Sequence, residues 1–174
     1  MRPTAGQVLH FSEDPRITHF EPHVAATARQ SEPYVWALDA EQAPSYWFPR
    51  DCPRVLAWPG PETAAADRRL VGDRRTHTIE YGWLPALQSV RLYAYRFAAA
   101  AFHPFGSPWP HAMVATTAVT PLGPAEPVGD LLAAHEAAGI ELRLVDDLWP
   151  IMDGVVRSSL RFSGIRLRNA RPRK

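Results

Sequence analysis

The chain holds a single cysteine, Cys52, among its 174 residues. That excludes an internal disulfide and a thiolate metal cluster. Lysine is almost as scarce: of the 19 basic residues all but Lys174 are arginine, so one arginine by itself is weak evidence of a site. Long apolar runs are missing too. The longest spans residues 97–102, far short of the roughly 20 residues that cross a bilayer. The opening stretch is interrupted by Gln7 and His10 and does not read as a signal-peptide core. A soluble, cytoplasmic protein with no membrane contact is the expectation. Neither Gly-x-Gly-x-x-Gly nor Gly-x-x-x-x-Gly-Lys-Ser/Thr occurs, which argues against a Rossmann or P-loop nucleotide site.

What is present points to a folded α+β domain. Hydrophobic residues make up 46%, too many for a disordered chain, and the length suits one domain over residues 1–174. Short runs rich in aromatic and β-branched residues predict strands at 7–11, 34–38, 54–58, 91–97, 111–120 and 140–145. Asp39 and Asp130 stand where helix caps belong, before a short helix cut by Pro44 and before a helix over 131–138 that Gly139 ends. The connection over 13–33 accommodates a turn or a short helix. Ile79, Trp83, Leu84 and Leu87 space like a helix face within 76–90, where Pro85 argues for two short pieces or a kink. Leu148, Ile151, Met152, Val155, Val156, Ser159 and Leu160 repeat at helical spacing and predict the best helix. Residues 61–75 read as a flexible loop. The irregular order of strands and helices predicts a compact, mostly antiparallel mixed sheet with short helices, and not a βαβ array.

Charge is uneven although the net value is only +1. Residues 126–153 carry seven acids and one base, and residues 154–174 carry seven bases and no acid. The basic tail over 166–174 is either a solvated face or a contact for nucleic acid.

Several side chains carry candidate chemistry. His10 lies mid-strand: it either hydrogen-bonds a ligand, or sits half-buried and satisfied by backbone. Ser12, two residues on, shares its side of the strand. His19 and His23 are four apart, as zinc ligands on a helix are, but Pro22 opposes a helix and no Glu follows His19 in the metalloprotease pattern. Tyr34, Trp36, Tyr46, Trp47 and Phe48 gather aromatic surface that serves either a ligand ring or a core. Cys52, between Arg50 and Arg54, is a thiol whose pKa the arginines tend to lower. Glu141 is a strand carboxylate that either steadies a cationic centre or makes a surface ion pair with Arg143.

Three segments resemble an uncharacterised bacterial family: Leu9 to Pro15 with Phe20 and Pro22; Val35 to Asp39 through Tyr46 to Arg54; and Gly139 to Arg143 with Leu148 to Pro150 and Phe162 to Ala170. A more distant resemblance is to the ADP-ribosyltransferase-like fold, in its diphtheria-toxin-type and RNA 2′-phosphotransferase-type relatives. It rests on the order of a strand His (His10), an aromatic strand leading to a Tyr (Tyr34 or Trp36, then Tyr46) and a late-strand Glu (Glu141). The chain departs from that pattern after His10, which lacks the usual Gly-Thr or Arg, and at Gly139, where a second Glu or Gln is usual. The resemblance implies an NAD cofactor and no metal. It implies binding by His10, Ser12, Tyr34, Trp36 and Tyr46, and catalysis by His10 with Glu141 steadying an oxocarbenium-like centre. The partner implied is a small nucleotide. A non-enzymatic small-ligand or regulatory domain is the alternative, and a nucleic-acid accessory protein using the basic tail is the third reading.

Overall fold

A computed structural model describes residues 1–24, 31–107 and 109–173, so part of the connection over 13–33 and Lys174 lie outside the described residues. In chain order the elements are β1 Gln7–Ser12, β2 Val35–Ala37, β3 Arg54–Trp58, α1 Ala65–Arg68, β4 Thr76–Glu80, α2 Leu84–Ser89, β5 Tyr93–Ala98, β6 His103–Phe105, β7 Ala112–Ala115, β8 Glu126–Pro127, α3 Leu131–Ala137, β9 Glu141–Val145, α4 Trp149–Val156 and β10 Arg161–Ile165. The class is α+β. The chain divides into two compact units, one of Met1–Trp47 with Arg91–Gly129, the other of Phe48–Val90 with Asp130–Lys174.

The first unit holds two antiparallel sheets, β1-β5-β8 and β2-β7-β6. Leu9 and Leu38 exchange backbone hydrogen bonds of 2.9 and 2.8 Å, which ties β1 to the end of β2. Alternation sorts the side chains: Val8, Val35, Ala37, Tyr95 and Phe97 enter one core around Phe20, whose ring meets Tyr95 and Phe97 edge-on at 5.1 Å each. Pro104 and Pro127 sit in the two edge strands β6 and β8, where a missing N–H costs no ladder bond.

The second unit is built on the sheet β10-β3-β4-β9, antiparallel except for the parallel β4–β9 pair. On one face Val55 and Ala57 pack with Val71, Leu148, Val155 and Leu160 beneath α4. On the other, His77 is the cross-strand partner of Leu56 and meets His135 of α3. Every residue of β4 is buried. That explains why 76–90 does not carry a strand's alternation. With both faces covered there is no polar side to show, and Thr76–Glu80 is a strand where helical spacing is expected. The helical part is a 3-10 turn over Tyr81–Trp83 that runs into α2, Leu84–Ser89, with Pro85 in its first turn, where a missing N–H is tolerated.

The last helix is shorter than its pattern. α4 ends at Val156, and Ser158 turns the chain by donating its hydroxyl to the Val155 carbonyl at 2.8 Å and accepting from Leu160 N at 3.2 Å. Residues 161–165, which follow the helical pattern in the sequence, form β10 against β3. Within residues 61–75, α1 is held by Asp67, which accepts from both the N–H and the hydroxyl of Ser159 at 2.8 and 2.6 Å.

Candidate functional site

His10 stands in β1 opposite Tyr95 and on the side that Val8 gives to the core. Its ring meets Phe20 edge-on at 5.0 Å. A carbonyl oxygen only accepts, so the 2.8 Å contact to the Trp36 carbonyl requires His10 to carry its proton on Nδ1. In the neutral ring the lone pair is then on Nε2. Two residues along, Ser12 is buried and its Oγ accepts from Asp14 N at 3.1 Å, forming a tight turn out of the strand.

Trp36 is joined to His10 by its backbone, not by its ring. Val35 and Ala37 point into the core, so alternation sends Tyr34 and Trp36 to the opposite face of β2. There the Trp36 indole lies 5.1 Å from Phe105 and 5.9 Å from Tyr34. Its Nε1 is buried and, among the described residues, has no hydrogen-bond acceptor. Tyr34 donates its hydroxyl to Glu32 at 2.7 Å, and that bond raises its pKa. Tyr46 closes a single 3-10 turn, Ala43–Tyr46, that Asp39 starts by accepting from Gln42 N at 2.8 Å; its side chain is exposed. His10, Ser12, Tyr34, Trp36 and Tyr46 thus all belong to the first unit, with the imidazole and the Tyr34–Trp36 rings on different faces.

Glu141 belongs to the second unit. It opens β9 and is gripped by both arms of Arg143, Nε at 2.8 Å and Nη2 at 3.2 Å. This fork holds its carboxyl below the usual range. Arg143 is itself placed by donating to the Leu70 carbonyl at 2.5 Å. Glu141, Glu136, Arg74 and His135 line an open cavity of about 320 Å³ at the end of α3.

The histidines four apart do not share a helix. Phe20 and His23 make isolated strand bridges, His19 Nε2 donates to Glu21 at 2.9 Å, and His23 Nδ1 donates to the Glu21 carbonyl at 3.3 Å. Among the described residues no group of three or more His, Cys, Asp or Glu is arranged to hold a metal ion. Cys52 is not an activated thiol. It is fully buried, and burial pushes its pKa up to about 12 despite the opposing charge of Arg54. No helix among the described residues is long and apolar enough to cross a membrane.

A buried polar cluster in the second unit carries no sequence motif. In the second unit, His77 Nδ1 and His135 Nε2 are 3.0 Å apart, both residues fully buried. Arg54, also buried, donates to the Cys52 carbonyl at 2.8 Å and lies 4.9 Å from the Phe48 ring. The only signal for these residues is a polar strand flanked by apolar segments, since His77 and His135 are 58 positions apart.

A family model described as a family of unknown function (DUF6886) matches residues 9–170. No curated protein and no solved structure matches the chain.

Proposed function

The chain belongs to the DUF6886 family, and we propose that it is an NAD-binding protein of ADP-ribosyltransferase-like type whose first unit takes the nicotinamide–ribose end of the ligand. What carries the reading is the double part played by Trp36. Its carbonyl fixes the His10 tautomer, so that Nε2 is the accepting nitrogen of the neutral ring. Its indole N–H, buried among the rings of Tyr34 and Phe105, lacks an acceptor among the described residues. An unmet buried donor costs about 1–3 kcal/mol, so a ligand oxygen that reaches it gains affinity. Isothermal titration with NAD tests the reading. Saturable heat that His10→Ala weakens at least tenfold is expected. No heat at millimolar NAD, together with no release of nicotinamide, overturns it.

A second reading, a binding domain that carries out no group transfer, is favoured by Glu141. Transfer of ADP-ribose needs a carboxylate turned toward developing positive charge. The Arg143 fork already neutralises this one. Under this reading Glu141→Ala leaves NAD affinity unchanged and the parent chain releases no nicotinamide; under the transferase reading the parent releases it and the variant does not.

A further inference from the structure

The basic segment after β10 is folded back onto its own unit and met group by group. Arg171 N donates to both oxygens of Glu80, at 3.0 and 3.3 Å, and Glu80 is 3% exposed. The carbonyl of the same residue accepts from Trp149 Nε1 at 2.7 Å. Its guanidinium pairs with Asp146. Two residues on, Arg173 grips Asp153 with both Nη atoms at 3.0 and 2.8 Å and lies 4.5 Å from the Trp149 ring centroid.

This is how a protein reads a peptide. Side chains, not a strand or helix, satisfy both backbone groups of one residue, and each flanking guanidinium finds its own carboxylate. Pro172 between the two arginines fixes φ and keeps the segment extended, which lowers the entropy lost on seating. The arginine side chains are both about half exposed, so the contact is at the surface and open to exchange. Glu80 makes exchange preferable to vacancy, because a buried carboxylate without its amide is costly to leave unmet. A second backbone N–H relieves that cost where water has little access.

We propose that Glu80, Asp146, Trp149 and Asp153 form a recognition groove for an extended Arg-x-Arg peptide, which residues 171–173 occupy in cis and a diarginine segment of another protein occupies in trans. The strap is thus a built-in competitor that sets the threshold for the external peptide.

The probe is a fluorescent peptide of sequence Arg-Asn-Ala-Arg-Pro-Arg, matching residues 168–173, titrated into the full chain and into its Arg171→Ala/Arg173→Ala variant. The double variant is expected to bind it saturably, at least tenfold more tightly than the parent. Asp146→Lys/Asp153→Lys, added to it, abolishes binding. The Trp149 indole N–H resonance, assigned with Trp149→Phe, shifts when the two arginines are removed and returns toward its parent position as peptide is added. A double variant with a shifted indole resonance and no saturable binding at millimolar peptide overturns the proposal. So does an unshifted resonance, because the strap then stays seated without its arginines. Equal binding of a peptide with lysines in place of the arginines reduces the groove to bulk electrostatics and also overturns it.

Discussion

His77 donates Nδ1–H to His135 Nε2, and the direction of that bond is fixed from both ends. His135 spends its Nδ1 proton on the Leu131 carbonyl at 2.7 Å, so its Nε2 accepts. Arg75 Nε donates to His77 Nε2 at 3.1 Å, so the His77 proton is on Nδ1. A third proton on either ring places two N–H groups face to face or turns His77 Nε2–H toward Arg75.

Acid should therefore weaken the second unit. His77 is held well below the usual imidazole value by burial, then by His135, Arg75 and Arg54, and His135 is lowered mainly by burial. Unfolded histidines titrate near about 6.5 and bind protons that the folded ones refuse, so stability is complete above that pH and falls below it. Each group contributes a slope of up to about 1.4 kcal/mol per pH unit. Urea midpoints at pH 7.5 and 5.5 measure the effect. The drop is expected to shrink by about half in His77→Gln; an equal drop in parent and variant assigns the acid sensitivity elsewhere.

Cys52 should be inert in the folded chain. With its pKa at about 12, the thiolate fraction at pH 8 is on the order of one in ten thousand, and burial bars reagent as well. Ellman's reagent is expected to label it within minutes in 6 M urea and not over hours without denaturant, a contrast read directly from absorbance.

Asp130 accepts from both Leu132 N at 2.8 Å and Ala133 N at 3.1 Å, capping the helix that carries His135. Replacing it by alanine should cost about 1 kcal/mol, measured by urea unfolding. Asp130→Asn, which keeps an acceptor at the cap, should recover most of the loss.

The Arg96–Glu126 pair of the first unit offers a contrast with buried polar groups. Its bonds are 2.7 and 3.0 Å long, and the Arg96 fork lowers the Glu126 pKa, but Glu126 is only half-buried. Arg96→Met should change stability by less than about 1 kcal/mol in chemical denaturation. A larger loss would show that the further contact of Arg96 to Gln7, at 3.1 Å, matters more than the ion pair.

Much of the α+β architecture is legible in the sequence wherever one physical signal dominates. Arg54–Trp58 is a strand as its aromatic and branched residues predict, and Asp130 caps α3 where the cap pattern puts it. Legibility fails at Thr76–Glu80, because periodicity reports only elements with one wet face. It fails again after Val156, where helical spacing runs on to Leu160 and only the serines at 158 and 159 mark the break. Of the candidate site, His10 and Trp36 stand out as residue types, but their link runs through a carbonyl that no side-chain pattern announces. The period of two in β2 already separates Tyr34 and Trp36 from the core-facing Val35 and Ala37. Glu141 with Arg143 two positions on is the pairing that same-face spacing predicts.

Strand β4 also bears on how the sheet finds its alignment. In most half-buried strands a one-residue slip is penalised by apolar groups turned to water. Here both faces are dry, and that penalty is weak. What replaces it is a set of polar side chains, each with an appointment on one side only: Thr76 with the Ala57 carbonyl, His77 with His135, Glu80 with Arg171 N. Sliding the strand by one position breaks all three at once and strands their groups in the interior. The register of the second unit is thus encoded by hydrogen-bonding chemistry, and apolar swaps in β4 should loosen alignment even where they improve packing.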